Sequence, residues 1–492
     1  MSKVTVTKVN NVFLSVECDR GVAQELGEYF CFYAYNYQFH PMYKNKVWDG
    51  KIRLLDRRTN QMYLGLFKYI EKFCTERGYS LDMDPRLSET TEYSLHEAQV
   101  FSRDLAAKLD FDPHDFQEEG LAHVVRNNGR SILLSPTASG KSFLIYLLIK
   151  YYNSKTLIIA DTIGLVGQMR DDLIEYGYPA DQIHTVTGVD KKSSDKQLVI
   201  ATWKGLYRQD KKYFAQYEVT IGDEVHLFNA KSLIKIMTSL TNSGVRVGLT
   251  GTLDDVQVHQ ISLEGLFGPV RRLAETKDLI ERGILSDVNI KGLVLKYHAD
   301  DRAILRKLTM KLTTTKKFQA ERLYLTNHKR RQRFIVNLAL SMKENSLVLF
   351  QIVEQGKELY EMVKAEAGDR KVFLVYQKTS MEARQEIRRI TEKEKDAIII
   401  ASFKTFATGT NIRNLYHVIL ANSGKGKIRL LQSIGRSLRI GQDTASLGAT
   451  IYDIADDLSM GSYVNYAMQH FVARIKIYAK EGFKFKTYNI KL

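Results

Sequence analysis

Three short stretches carry residue types that can handle a phosphate. Ser135-Pro136-Thr137-Ala138-Ser139-Gly140-Lys141-Ser142 lies between the apolar run Ile132-Leu133-Leu134 and a helix-forming stretch that opens at Phe143. Backbone N–H groups at such a helix start can wrap a β-phosphate, Lys141 can reach the β- and γ-oxygens, and the Ser142 hydroxyl can ligate Mg²⁺. The first glycine of the strict pattern is replaced by Ser135. Asp223-Glu224-Val225-His226 follows the strand-like Val219-Thr220-Ile221-Gly222. Asp223 at a strand end can hold Mg²⁺ through water, and Glu224 can polarise an attacking water; a plain surface turn is the other reading. Gln432-Ser433-Ile434-Gly435-Arg436-Ser437-Leu438-Arg439 puts two arginines three apart on one helix face. They can serve a γ-phosphate or simply face solvent. Taken together, the three describe a nucleoside triphosphatase whose site lies between two domains and opens and closes with hydrolysis. That is a motor.

The elements that must position these residues are legible as rhythm. Short β-branched runs at Ser131–Ser135, Thr156–Ala160, Gln197–Ala201, Val219–Gly222 and Arg246–Thr250 alternate with helical stretches. The rhythm returns at Ser346–Gln351, Lys371–Tyr376, Ala397–Ala401 and His417–Leu420. Strands alternating with helices predict parallel sheets with crossover helices. The fold class is therefore α/β, with two tandem parallel-sheet domains behind a small α+β domain and a helical C-terminal extension. The expected domains are 1–105 (an accessory nucleic-acid-binding domain), 106–285, a basic and largely helical connector at 286–345, 346–458, and a helix with a basic tail at 459–492.

At 492 residues the chain has room for about three domains. Lys and Arg number 72 against 56 Asp and Glu, a net charge of +16, which points to a polyanionic partner. Cys18, Cys31 and Cys74 form no CxxC pair, which excludes a disulfide scaffold, argues against a zinc site and leaves them as buried apolar residues. No run of about 18 apolar residues is present, so no membrane-spanning helix is expected. The opening Met-Ser-Lys-Val-Thr-Val-Thr alternates like a strand and lacks the apolar core of a leader, and only six prolines argue against disordered linkers.

The order of these motifs resembles superfamily-two helicases of the DExH type over residues 110–455, which implies that the two parallel-sheet domains are RecA-like. Beyond the three stretches above, Gln117 resembles the family's adenine-reading glutamine, Leu165-Val166-Gly167-Gln168 its motif Ia, and Ala201-Thr202-Trp203 its AT-aromatic element. Thr250-Gly251-Thr252 resembles motif III, which couples hydrolysis to strand contact. Leu347–Phe350 resembles motif IV, and Ser402-Phe403-Lys404-Thr405 with Thr408-Gly409-Thr410-Asn411 motif V. The resemblance implies ATP and Mg²⁺ as cofactors and Lys141, Asp223, Glu224, Arg436 and Arg439 as catalytic. It implies nucleotide contacts from Gln117, Thr137, Ser139, Gly140, Ser142 and Gly409, and coupling through His226, Thr250, Thr252 and Gln432. TGT in place of the commoner SAT, and Asn411 where many relatives carry aspartate, depart from the pattern. Pro41 to Leu54 resembles a module that precedes such motors in phage proteins, which implies unwinding and branch migration of branched DNA and of RNA–DNA hybrids in recombination, repair and replication control. A monomer in the host-cell cytoplasm is expected.

Nucleic-acid contacts are sought in two places. Between Ala299 and Phe334 stand eleven basic residues against three acidic ones, Lys316, Lys317, Arg330 and Arg331 among them. Such a cluster can meet a phosphate backbone without reading sequence, or can be a solvated helix face. Lys51, Arg53, Arg57 and Arg58 flank a hairpin tip and suit duplex or junction contact, or merely keep a sheet edge soluble. Tyr33, Tyr35, Tyr37 and Phe39 alternate at period two, the pattern of a strand face packed on a core; stacking on exposed bases is the alternative. The leading reading is an ATP-driven helicase acting on branched and single-stranded DNA. A duplex translocase, a restriction-system motor, or a basic annealing protein are the competing ones.

Overall fold

A computed structural model describes residues 2–136, 139–188, 194–228, 231–253, 257–284, 288–407, 414–422, 449–480 and 482–492. They form two compact units, one of residues 1–136 and 140–274, the other of 137–139 and 275–492.

The first unit opens with an α+β layer. Strands β1 (Lys3–Lys8), β2 (Phe13–Cys18), β5 (Gln61–Tyr63) and β6 (Ser80–Met83) form one sheet in the order β5-β2-β1-β6, and β3 (Cys31–Tyr33) pairs with β4 (Lys51–Arg53) in a small ribbon. Val4, Val6, Leu14 and Val16 alternate inward onto Leu26, Ile70 and Phe73 of the helices Arg20–Tyr29 and Phe67–Arg77. Only Cys74 of the three cysteines is buried; Cys18 and Cys31 sit at the half-exposed margin of this layer. Polar contacts dock the layer on the rest of its unit, among them these. Asn11 donates to the Asn242 carbonyl (3.1 Å), the Tyr69 hydroxyl to Glu264 (2.6 Å), and Arg130 Nη1 to the Asn11 carbonyl (3.0 Å).

Strands β7 (Arg130–Leu134), β8 (Thr156–Ala160), β9 (Ile183–Val186), β10 (Leu198–Thr202), β11 (Val219–Asp223), β12 (Val245–Thr250) and β13 (Val270–Arg272) then build an all-parallel sheet in the order β13-β7-β12-β11-β8-β10-β9. Helices cover both faces, so β7, β8, β10 and β11 are buried at every position, which is why apolar residues crowd their centres. Arg246 of β12 is wholly buried, with no carboxylate beside it among the described residues. Its guanidinium caps the carbonyls of Met237, Leu240, Ser243 and Leu266 at 2.8 to 3.2 Å, tying a helix end and a turn to the sheet.

The second unit repeats the plan with β14 (Val288–Lys296), β15 (Ser346–Phe350), β16 (Val372–Val375), β17 (Ile398–Ser402), β18 (His417–Leu420), β19 (Ala449–Asp457) and β20 (Lys484–Lys491), in the order β16-β17-β15-β18-β19-β14-β20. All its pairings are parallel. Two differences from the sequence reading stand out. The segment expected as a helical connector begins with β14, a full member of the sheet, before its helices Ala299–Thr309, Thr314–Asn327 and Lys329–Ser341. The basic tail is itself a strand, β20, which lies along β14 from Asn289↔Lys484 to Lys296↔Lys491. Among the described residues no helix is long and apolar enough to cross a membrane.

Candidate active site and nucleic-acid surfaces

In the first sheet β12 lies between β7 and β11, and the pairs Leu134↔Thr250 and Leu249↔Asp223 bring their carboxyl ends level. The segments that leave those three ends carry the phosphate-loop, acidic and Thr-Gly-Thr motifs, as expected where open α/β sheets bind ligands. The Ser135 N–H donates to the Thr250 carbonyl (3.1 Å), locking two of them together.

The helix Lys141–Tyr152 starts from Gly140, whose backbone is left-handed (φ +75°). That backbone favours glycine, and a Cβ there would also push the Gln117 amide aside. Gln117 donates through Nε2 to the Gly140 carbonyl (3.1 Å) and accepts at Oε1 from the His114 N–H (2.9 Å). It is buried and fastens the helix Asp115–Arg126 to the phosphate segment. The Lys141 ammonium lies over the loop itself, 3.2 Å from the carbonyls of both Ser135 and Pro136. The Ser142 hydroxyl shares a hydrogen bond with the Tyr176 hydroxyl (3.1 Å). Tyr176 is missed by motif reading; its signal is only that it ends the helix Ile163–Glu175 that carries motif Ia.

Asp223 is buried at the tip of β11, and its Oδ1 accepts from the Glu224 N–H (3.0 Å). Glu224 is left-handed (φ +53°), a conformation that costs a non-glycine residue about 1–2 kcal/mol and recurs at functional sites. That twist turns its carboxylate toward β12, where the Thr250 hydroxyl lies 3.2 Å from Oε2. The same hydroxyl is 2.7 Å from His226 Nδ1 and 2.9 Å from the Thr252 carbonyl, and His226 Nδ1 is 3.3 Å from Glu224 Oε2. One hydroxyl thus joins Glu224, His226 and Thr252. The structure brings Gln117, Gly140, Lys141, Ser142, Asp223, Glu224, His226, Thr250 and Thr252 to one sheet edge. Ser139 follows β7 in the chain, while Thr137, Gly409, Gln432, Arg436 and Arg439 lie outside the described residues.

The basic residues divide. Arg331 is a correction: it is 1 % exposed and forms a two-pronged pair with Asp456, Nε to Oδ1 at 2.7 Å and Nη2 to Oδ2 at 3.0 Å. It also donates to the Ala421 carbonyl (2.6 Å), so no phosphate can reach it. Burial pulls its pKa down, but the Asp456 carboxylate and the Tyr297 hydroxyl more than offset this and raise it. Arg330 is exposed, 3.9 Å from Asp301; Lys316 is exposed and Lys317 half-buried. Arg53 is paired with Asp49 and holds that carboxyl down at about 2. Arg57 donates to the Gln24 carbonyl (3.2 Å), and Arg58 is exposed on the turn between Asp56 and Gln61. The tyrosine run overturns the core-strand reading. β3 ends at Tyr33, a short 3-10 turn takes Tyr37–Phe39, and Tyr33, Tyr35 and Phe39 are 54, 65 and 72 % exposed.

Two parallel sheets, the first presenting a phosphate segment, an acidic strand end and a hydroxyl bridge on one edge, define the class: a RecA-like helicase motor. Family models agree, with residues 4–84 matching "DNA helicase UvsW, N-terminal", 108–255 "Type III restriction enzyme, res subunit" and 310–441 "Helicase conserved C-terminal domain". The chain is 32 % identical to the ATP-dependent DNA helicase UvsW of enterobacteria phage T4, over 96 % of its own length and 97 % of that protein's. It is 25 % identical to the DNA 3′-5′ translocase XPB2 of Sulfurisphaera tokodaii over 75 % of this chain and 86 % of that one. The crystal structure of T4 UvsW matches with a TM-score of 0.50 at 30 % identity, covering 99 % of each chain. The chain belongs to the UvsW helicase family and is an ATP-dependent DNA helicase.

Proposed function

We propose that ATP hydrolysis at the edge of the first sheet drives unwinding and branch migration of branched DNA, such as stalled forks and four-way junctions, and of RNA–DNA hybrids. The observation that supports this most is the Glu224–Thr250–His226 bridge. It joins the residue beside the attacking water to the strand end that reports on bound nucleic acid, which a passive nucleotide clamp has no use for.

In this reading Lys141 leaves its loop carbonyls to meet the β- and γ-phosphates, and Gln117 and Gly140 shape the nucleotide pocket together with Thr137, Ser139 and Gly409. Ser142 and Asp223 suit Mg²⁺, since a hydroxyl and a carboxylate are the hard oxygen donors that ion takes. Bound there, the ion would neutralise developing phosphate charge. Glu224 orients and polarises the water, and its carboxylate is steered by the Thr250 hydroxyl. Arg436 and Arg439 supply cations to the γ-phosphate, while His226, Thr252 and Gln432 pass the change on. Lys51, Arg53, Arg57, Arg58, Lys316, Lys317 and Arg330 meet phosphates. The functional segments run 1–105, 106–285, 286–345, 346–458 and 459–492, the last three sharing the second unit's sheet, and the protein acts as a monomer in the host-cell cytoplasm.

The test is steady-state ATP hydrolysis alone and with single-stranded, duplex or four-way-junction DNA, beside Lys141→Ala and Glu224→Gln, followed by unwinding of forks and R-loops. Stimulation by junctions, lost in both variants, is the expected result. Stimulation by plain duplex alone would establish a translocase instead, and hydrolysis indifferent to DNA would leave a binding and annealing protein.

A further inference from the structure

We propose that residues 31–53 form a stacking platform for unpaired bases, and that this is where the helicase parts its two strands. The proposal rests on the motor reading above and gives it a strand-separating element.

Not one side chain between Cys31 and Asp49 is buried, although seven of them, from Phe32 to Trp48, are aromatic. A surface this rich in rings marks a contact site. The rings are also held in place. Tyr33 stacks on Tyr37 at 4.5 Å, Tyr37 meets Tyr43 edge-on at 4.8 Å, and His40 meets Trp48 at 5.2 Å. The Trp48 indole donates to the Lys51 carbonyl (3.0 Å), and Gly50 turns the chain at φ +80°, where any Cβ would strike the Tyr37 ring. Tyr35 and Phe39 project from this frame as its two most exposed rings.

Charge decides what they receive. Lys44, Lys46, Lys51 and Arg53 surround the rings, and the single acid, Asp49, is taken up by Arg53. Two of the lysines lie over rings, Lys51 5.2 Å from Tyr33 and Lys44 6.0 Å from Phe39. Cations interleaved with aromatic faces suit a polyanion that also offers flat π-surfaces, which is single-stranded nucleic acid. A duplex shows its phosphates but hides its base faces, so these rings engage only where pairing has been lost. The patch belongs to the same compact unit as Lys141 and Glu224, so strand parting and hydrolysis are carried on one body.

The experiment uses the full-length protein with Tyr35→Ala/Phe39→Ala, and Tyr35→Trp/Phe39→Tyr as the aromatic-preserving control. The probe is a forked DNA bearing 2-aminopurine at the first unpaired position. Its fluorescence is read without ATP; unwinding and DNA-stimulated hydrolysis are read with ATP. Wild-type protein quenches the probe by stacking. The alanine pair is expected to lose the quenching and to unwind about tenfold more slowly or worse, since base–ring stacking carries much of such binding. Its hydrolysis in the absence of DNA stays within about twofold of wild type, because neither ring touches the nucleotide edge, and the aromatic control recovers both losses. Unwinding and quenching at wild-type level in the alanine pair would overturn the platform, as would wild-type protein that leaves the probe bright. Hydrolysis that ignores DNA would instead sink the motor reading, while the ATP-free quenching still reports on the platform.

Discussion

Replacing Arg331 by methionine separates a structural arginine from a DNA-binding one. The guanidinium and the Asp456 carboxylate are 1 % and 0 % exposed, joined by two hydrogen bonds, with a third from the Tyr297 hydroxyl to Asp456 Oδ1 at 2.8 Å. Arg331→Met strands a buried carboxylate with one neutral donor and leaves the Ala421 carbonyl without its 2.6 Å partner. Stranding one member of a buried pair costs roughly 3–5 kcal/mol. With a urea dependence of about 3 kcal/mol per molar for a unit of this size, the second unit's unfolding midpoint falls by about 1–1.7 M. Removing the whole cluster (Arg331→Met, Asp456→Leu and Tyr297→Phe together) leaves no orphaned charge and recovers most of that loss. Urea titrations followed by circular dichroism read the midpoints, and fluorescence anisotropy on forked DNA reads binding across a salt series. The expected binding slope is unchanged from wild type. A normal midpoint with a log–log salt slope reduced by about 0.9 would refute the reasoning, because that is what losing one phosphate contact does.

Three further outcomes rest on buried or strained groups. Arg246→Met deprives four carbonyls of their donor and is expected to cost the first unit about 3 kcal/mol or more, read as a lowered thermal midpoint; a shift under 1 °C would mean water replaces the guanidinium. Glu224→Gly relieves a left-handed backbone and is expected to be up to about 1 kcal/mol more stable than Glu224→Gln while equally inactive in hydrolysis; equal stability would mean no strain is held there. His123 has its pKa lowered by burial and then by Arg271, so its stabilising contribution is complete above its unfolded pKa of about 6.5 and is lost as pH falls through the folded value. The drop in thermal midpoint from pH 7.5 to 5.5 is therefore expected to shrink in His123→Gln, and an equal drop would assign it to other groups.

How much of this is legible in the sequence depends on what each residue has to bury. β8 and β17 stand out because every position is buried between helices and so must be apolar or small. β14 hides because Asn289, Lys291 and Gly292 break its apolar run, and β20 because an edge strand, nearly all exposed, needs only backbone partners and can be written in lysines. The nucleotide edge is legible through its loops, yet the positive φ of Glu224 and the Tyr176–Ser142 bond depend on tertiary packing no motif encodes. Arg331 sits among look-alike arginines, but its helix phase separates it. It shares a face with Ile335 and Ala339, while the buried Asp456, like Asp453 three residues before it in the same strand, calls for a cation.

The pairing of β14 with β20 has a consequence in time. β14 leaves the ribosome early in its unit, but its two neighbours are residues 449–457 and 484–491. Until both are made, an eight- or nine-residue strand with unfilled hydrogen bonds on each side waits in the cell, open to pairing with another nascent chain. Closing it afterwards brings together segments some two hundred residues apart, a slow step for a parallel sheet. Premature release between residues 458 and 484 should therefore yield insoluble product even though the nucleotide edge of the first unit is already complete, and synthesis rate over that last stretch becomes a determinant of how much soluble helicase is recovered.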